Sequence, residues 1–120
     1  MQIQDISIKD YAAFVENFFI NYNRDNMAYY ETKIKKVLKC KDFVTVLVKQ
    51  PRQYAYGSIA VHNYRIVFQN ADNNKLYAIL EKDLGKTSLF GKKRFVTTEI
   101  SDVANTFFEN YLQEDDESSM

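Results

Sequence analysis

Cys40 and His62 are the only cysteine and the only histidine among the 120 residues, and together they are the one combination from which a thiol nucleophile and a neighbouring base could be assembled. Neither has the sequence context that such chemistry needs. Cys40 lies among lysines at the end of an apolar segment, and His62 falls with Asn63 between two alternating apolar runs, where a turn is expected. One histidine and one cysteine cannot build a zinc site of four protein ligands. Glu81 and Asp83 lack the spaced acidic loop that wraps calcium. Gly57, Gly85 and Gly91 are too scattered to make a phosphate-cradling loop. The expectation is a protein that is not an enzyme and uses no metal or cofactor.

Cationic and aromatic side chains have a better claim to a binding role. Lys33, Lys35, Lys36, Lys39 and Lys41 stand within nine residues that hold no acid, Arg52 is close to Tyr54 and Tyr56, and Lys92, Lys93 and Arg94 form a basic turn between Phe90 and Phe95. Single strands of nucleic acid are held by a positive groove for the phosphates and aromatic faces for the bases, so these residues are candidate anion or nucleic-acid contacts. The formal net charge of +0 hides a segregation: residues 1–31 sum to −3, 32–52 to +6, 53–100 to +3 and 101–120 to −6. Charge acts over about 10 Å in ordinary salt, so a partner feels this distribution more than the total. The acidic run Glu114 to Glu117 would compete with an anionic ligand for the basic middle, or recruit a basic partner.

Composition favours a different use of the surface. The chain is 46% hydrophobic and holds nine Phe and nine Tyr, which marks it as folded. Residues 1–112 suit one domain, large enough to fold without disulfides or metals, followed by a mobile acidic tail over 113–120. So many aromatics in a small core leave an apolar patch, and such patches serve a partner or self-association. The primary expectation is therefore a small protein-interaction domain of adaptor, chaperone or inhibitor type, with a homodimer among its forms. Single-stranded nucleic-acid binding is the alternative. Apolar runs of only a few residues exclude a membrane helix, and a lone cysteine with no apolar leader in Met1 to Asp10 suggests the cytoplasm.

The elements that position these residues follow from period. Tyr11, Phe14, Val15, Phe18, Phe19 and Tyr22 recur at helical spacing, and Ser7 with Asp10 gives a capping-box-like start. Met27, Tyr30, Ile34, Val37 and Leu38 continue that spacing, which predicts a second helix beginning after Asp25 and carrying the lysines on its wet side. After Asp42 the period falls to two. Strands are expected over Phe43 to Lys49, ended by Pro51, then over Tyr54 to Val61, a turn at His62-Asn63, and Tyr64 to Phe68. Ala71 to Asn74 is a turn into Lys75 to Lys82, and shorter strands follow over Lys86 to Phe90 and Arg94 to Thr98. Ser101 opens a last helix with Ala104, Phe107, Phe108, Tyr111 and Leu112 on its apolar face. The fold class is α+β: two N-terminal helices, an antiparallel sheet of about five to six short strands, and one C-terminal helix.

Three short stretches resemble known families. Gly57 to Phe68 resembles the hairpin of pleckstrin-homology-like domains, which also finish with a helix. Phe14 to Phe19 through Tyr29-Tyr30 is similar to the helical entry of nuclear-transport-factor-like cone folds. Gly91 to Val96 resembles the aromatic strand of RNA-recognition motifs. None of them carries a residue role to this chain.

Overall fold

A computed structural model describes residues 1–25, 31–53, 59–86 and 93–118. The order is α1 (Ile8–Asp25), β1 (Lys33–Lys39), β2 (Val44–Gln53), β3 (Ile59–Asn70), β4 (Leu76–Lys86), β5 (Lys93–Glu99) and α2 (Ser101–Ser118), preceded by one 3-10 turn at Ile3–Asp5. The strands form a single antiparallel sheet in the order β1-β2-β3-β4-β5, so each strand pairs with its neighbours in sequence. Both helices lie on one face of this meander. No helix among the described residues is long and apolar enough to cross a membrane.

The first helix forms where its stripe predicts. Ser7 Oγ accepts the Asp10 N–H at 3.1 Å and satisfies an orphan donor of the first turn, while the Asp10 carboxylate sits at the positive helix end. Tyr11, Phe14, Val15, Phe18 and Phe19 are all buried. They meet Val44, Val46 and Val48 of β2, Tyr64, Ile66 and Phe68 of β3, and Leu76, Ala78 and Leu80 of β4, with Ala104 and Phe108 of α2 closing the core. Phe14 stands 5.4 Å from the rings of both Phe107 and Phe108, so the two ends of the chain interlock through aromatics.

Side chains also complete the backbone pairing. β5 reaches β4 only as far as Ile79, which leaves Leu76 and Ala78 of β4 without a strand on that side. The Asn105 carboxamide accepts the Leu76 N–H and donates to the Leu76 carbonyl, both at 2.8 Å, as a neighbouring strand would. One turn earlier, Ser101 Oγ accepts the Ala78 N–H at 2.9 Å, and the Ile100 N–H donates to the Ala78 carbonyl. Ser101 therefore docks the helix on the sheet in addition to opening it. At the other end of the core, Tyr11 is fully buried and donates its hydroxyl to the Ile3 carbonyl, and the Ile3 N–H donates to Asn70 Oδ1. Burial, and secondarily the nearby Asp5 carboxylate, push the Tyr11 phenol well above its ordinary range.

Several expectations are corrected. Among the described residues there is one N-terminal helix, because Lys33–Lys39 is a strand where a second helix was expected. Their helical spacing comes from a β-bulge between Ile34 and Lys36: one extra residue puts Ile34, Val37 and Lys39 on the same face, three and then two apart, which imitates a helix turn. His62 and Asn63 form no turn, since β3 runs unbroken through them and pairs with β2 and β4. The pleckstrin-homology-like hairpin accordingly disappears. Pro51 does not end β2; among the described residues β1 pairs with it only as far as Lys33–Lys49, so Pro51 has no paired strand on that side and its missing N–H is tolerated. The helix α2 runs from Ser101 to Ser118. Among the described residues the strands number five. The turn at residues 71–74 forms as predicted: Asn73 and Asn74 take positive φ of 61° and 57°, and the Lys75 N–H returns to the Asp72 carbonyl. The expected strand over Lys86 to Phe90 extends beyond the described residues.

Candidate interaction face

Register divides the strand residues between two faces. Val46, Ile66 and Leu80 face the helices, so their neighbours Leu47, Arg65 and Glu81 face away. Three rows cross this open face from β1 to β5: Lys33, Lys49, Asn63, Asp83, Phe95; then Lys36, Leu47, Arg65, Glu81, Thr97; then Leu38, Thr45, Val67, Ile79, Glu99. Tyr77 and Gln69 continue the sequence of rows, and Phe43 flanks it.

An antiparallel sheet with one wet face normally alternates apolar and polar residues. Here Val46-Leu47-Val48, Ile66-Val67-Phe68 and Ala78-Ile79-Leu80 are apolar on both faces at neighbouring positions of three adjacent strands. The result is a groove of about 460 Å³ whose floor and walls include Leu38, Phe43, Leu47, Val67, Tyr77 and Ile79. Thr45, at its floor, is only 7% exposed, whereas Leu38, Phe43, Tyr77 and Phe95 remain 36–43% exposed. The centre holds one ion pair: Arg65 Nε donates to Glu81 Oε2 at 2.6 Å, and the Phe95 ring lies 5.0 Å from the Arg65 guanidinium. Within the three rows every cation, Lys33, Lys36, Lys49 and Arg65, stands on β1 to β3. Every anion, Glu81, Asp83 and Glu99, stands on β4 and β5.

The lysine cluster is thus an edge strand. Strand edges expose unpaired backbone groups that can recruit another chain, and lysines and bulges are two ways of blunting them; β1 has both. Lys33, Lys35, Lys36, Lys39 and Lys41 are all exposed, but they do not form one surface. Lys33 and Lys36 belong to the open face, and Lys35 is at the bulge. Lys39 turns toward the helix side and donates to the Ile6 carbonyl at 3.0 Å. Lys41 is in the turn that the Cys40 N–H closes onto the Phe43 carbonyl. Arg52 is on β2 and Lys93 and Arg94 are on β5, while Tyr54, Tyr56 and Lys92 lie outside the described residues.

Cys40 and His62 are not brought together. His62 pairs with Gln50, six residues along β2 from Val44 and hence about 20 Å from the turn that carries Cys40. Among the described residues no three His, Cys, Asp or Glu side chains group to hold a metal ion. Sequence reasoning missed the open-face set. Its one signal was the adjacent apolar triplets, which mark strands that are apolar on both sides. Comparison with family models, with curated proteins and with solved structures finds no match to this chain.

Proposed function

We propose that the chain is a non-catalytic protein-interaction domain of adaptor, chaperone or inhibitor type, which docks a protein partner on the open face of its sheet. The observation that supports this reading is the doubly apolar character of β2, β3 and β4: both faces are composed for burial and only one is covered by α1 and α2. A central Arg held by a carboxylate and an aromatic ring, ringed by apolar side chains, has the composition of an interface core. Nucleic acid is served less well. Arg65 is already engaged by Glu81, Lys39 is turned to the other face, and Asp83 and Glu99 would repel phosphates from half of the sheet.

The test is site-specific photocrosslinking in living cells, with the crosslinker placed at Val67 or Tyr77 on the open face and at Ile20 or Val103 on the exposed helix layer. Protein adducts from the first pair and none from the second are expected. Adducts from the helix layer alone would refute the reading, and adducts sensitive to nuclease would replace it with the nucleic-acid alternative.

A further inference from the structure

The open face is its own complement. A two-fold axis lying in the interface and parallel to β3 exchanges β1 with β5 and β2 with β4, and so, within the three rows, lays the strands that carry the cations of one copy over the strands that carry the anions of the other. An axis perpendicular to the strands would set like charges against each other. In the first arrangement Lys49 stands across from Asp83 of the second copy, because the two lie in one row, one strand to either side of β3. Lys33, which has Glu31 4.0 Å away, is carried over Phe95, and Lys36 over Thr97, one row from Glu99 of the second copy. Val67, on the central strand, meets its own counterpart near the axis. Arg65 enters as a pair already neutralised by Glu81.

Resting on the reading of this face as an interaction site, we infer that its occupant is a second copy of the chain, packed sheet on sheet about that axis. Isologous interfaces require a self-complementary patch, and two antiparallel sheets pack with their strands within about 30° and their inner faces about 10 Å apart. Five strands at ~4.8 Å spacing, paired over about six residues of ~3.4 Å each, give a footprint of about 500 Å² per copy. The total, on the order of 1,000 Å², lies at the lower end of specific interfaces, the size of reversible associations.

Sedimentation velocity of the full chain from about 1 to 500 µM should show a shift from 14.1 kDa toward twice that mass. Val67→Lys should leave far-UV circular dichroism unchanged and abolish the shift. Lys49→Glu and Asp83→Lys should each weaken dimerisation at least tenfold, and the double variant should restore it to within a few-fold of the wild type. That rescue is specific to the proposed axis and does not depend on Val67→Lys folding. A wild type that stays monomeric throughout, or single reversals without rescue, overturns the inference. The Val67 crosslinker separates the two failures: an adduct at twice the chain mass supports the homodimer, an adduct of another mass refutes it while leaving the interaction reading in place, and no adduct removes both.

Discussion

Replacing Asn105 by Ala should release α2 from the edge of β4, and the size of the effect can be worked from the bonds it makes. The carboxamide holds the Leu76 N–H and the Leu76 carbonyl at 2.8 Å each, and also donates to the Ser101 carbonyl at 2.9 Å. Leu76 is only 1% exposed, so water replaces these partners poorly. Leaving a buried donor or acceptor unpaired costs about 1–3 kcal/mol, and two such groups at a partly buried site cost about 2–4 kcal/mol. Alanine's higher helix propensity returns roughly 0.5–0.7 kcal/mol. The net loss should be about 1.5–3 kcal/mol, a large part of the ~5–15 kcal/mol that a domain of this kind has. Urea unfolding followed by circular dichroism reads it as a midpoint lowered by about 1–2 M with an unchanged slope. Asn110→Ala, at an exposed position of the same helix, should change stability by less than about 0.5 kcal/mol. Asn105→Asp keeps an acceptor for the N–H but sets a second carboxylate oxygen against the Leu76 carbonyl, and should be no more stable than the alanine variant at neutral pH. An Asn105→Ala protein within about 0.5 kcal/mol of the wild type would show that packing of Ala104 and Phe108 alone attaches the helix.

Two further outcomes follow from the same physics. The Tyr11 phenol is raised by burial and by Asp5, so the folded state keeps its proton after the unfolded chain has released it near pH 10. Its contribution is fully present below pH 10 and falls by about 1.4 kcal/mol per pH unit above it; a Tyr11→Phe variant measured by urea titration at pH 8 to 11 should lack that component, and an identical pH slope would refute it. Replacing Lys33, Lys35 and Lys36 together by Val should leave the fold intact but cause fibrillar or amorphous association, detected by light scattering, because β1 would then be an unguarded edge; a triple variant as soluble as the wild type would show that the bulge alone protects it.

What the sequence revealed, and what it hid, has a common cause. The α1 stripe, the cap at Ser7, the Asn73-Asn74 turn and the start of α2 are local signals, written in residues a few positions apart, and each forms as expected. β1 was hidden because its bulge shifts the strand period to one that mimics a helix. The continuity of β3 was hidden because His62-Asn63 has turn-like residues, while pairing to two neighbouring strands holds it extended. The interaction face was illegible for a deeper reason. Alternation separates two sets of residues on a strand without saying which set the helices cover, and the row joining Lys49 to Asp83 exists only once two registers are known.

The placement of the two helices at opposite ends of the chain has a consequence for how the protein is made. Each hairpin of the meander can close as soon as its second strand emerges. The aromatic stripe of α1 meets Phe68 of β3 earlier, but is closed over only by Phe107 and Phe108, roughly 90 residues after Phe14, or about 5–20 s at ~5–20 residues per second. During that interval a nascent chain carries the α1 stripe only partly covered, with the sheet still being laid down. Synthesis rate and chaperone capture therefore bear on the yield of this protein alongside the stability of its finished form.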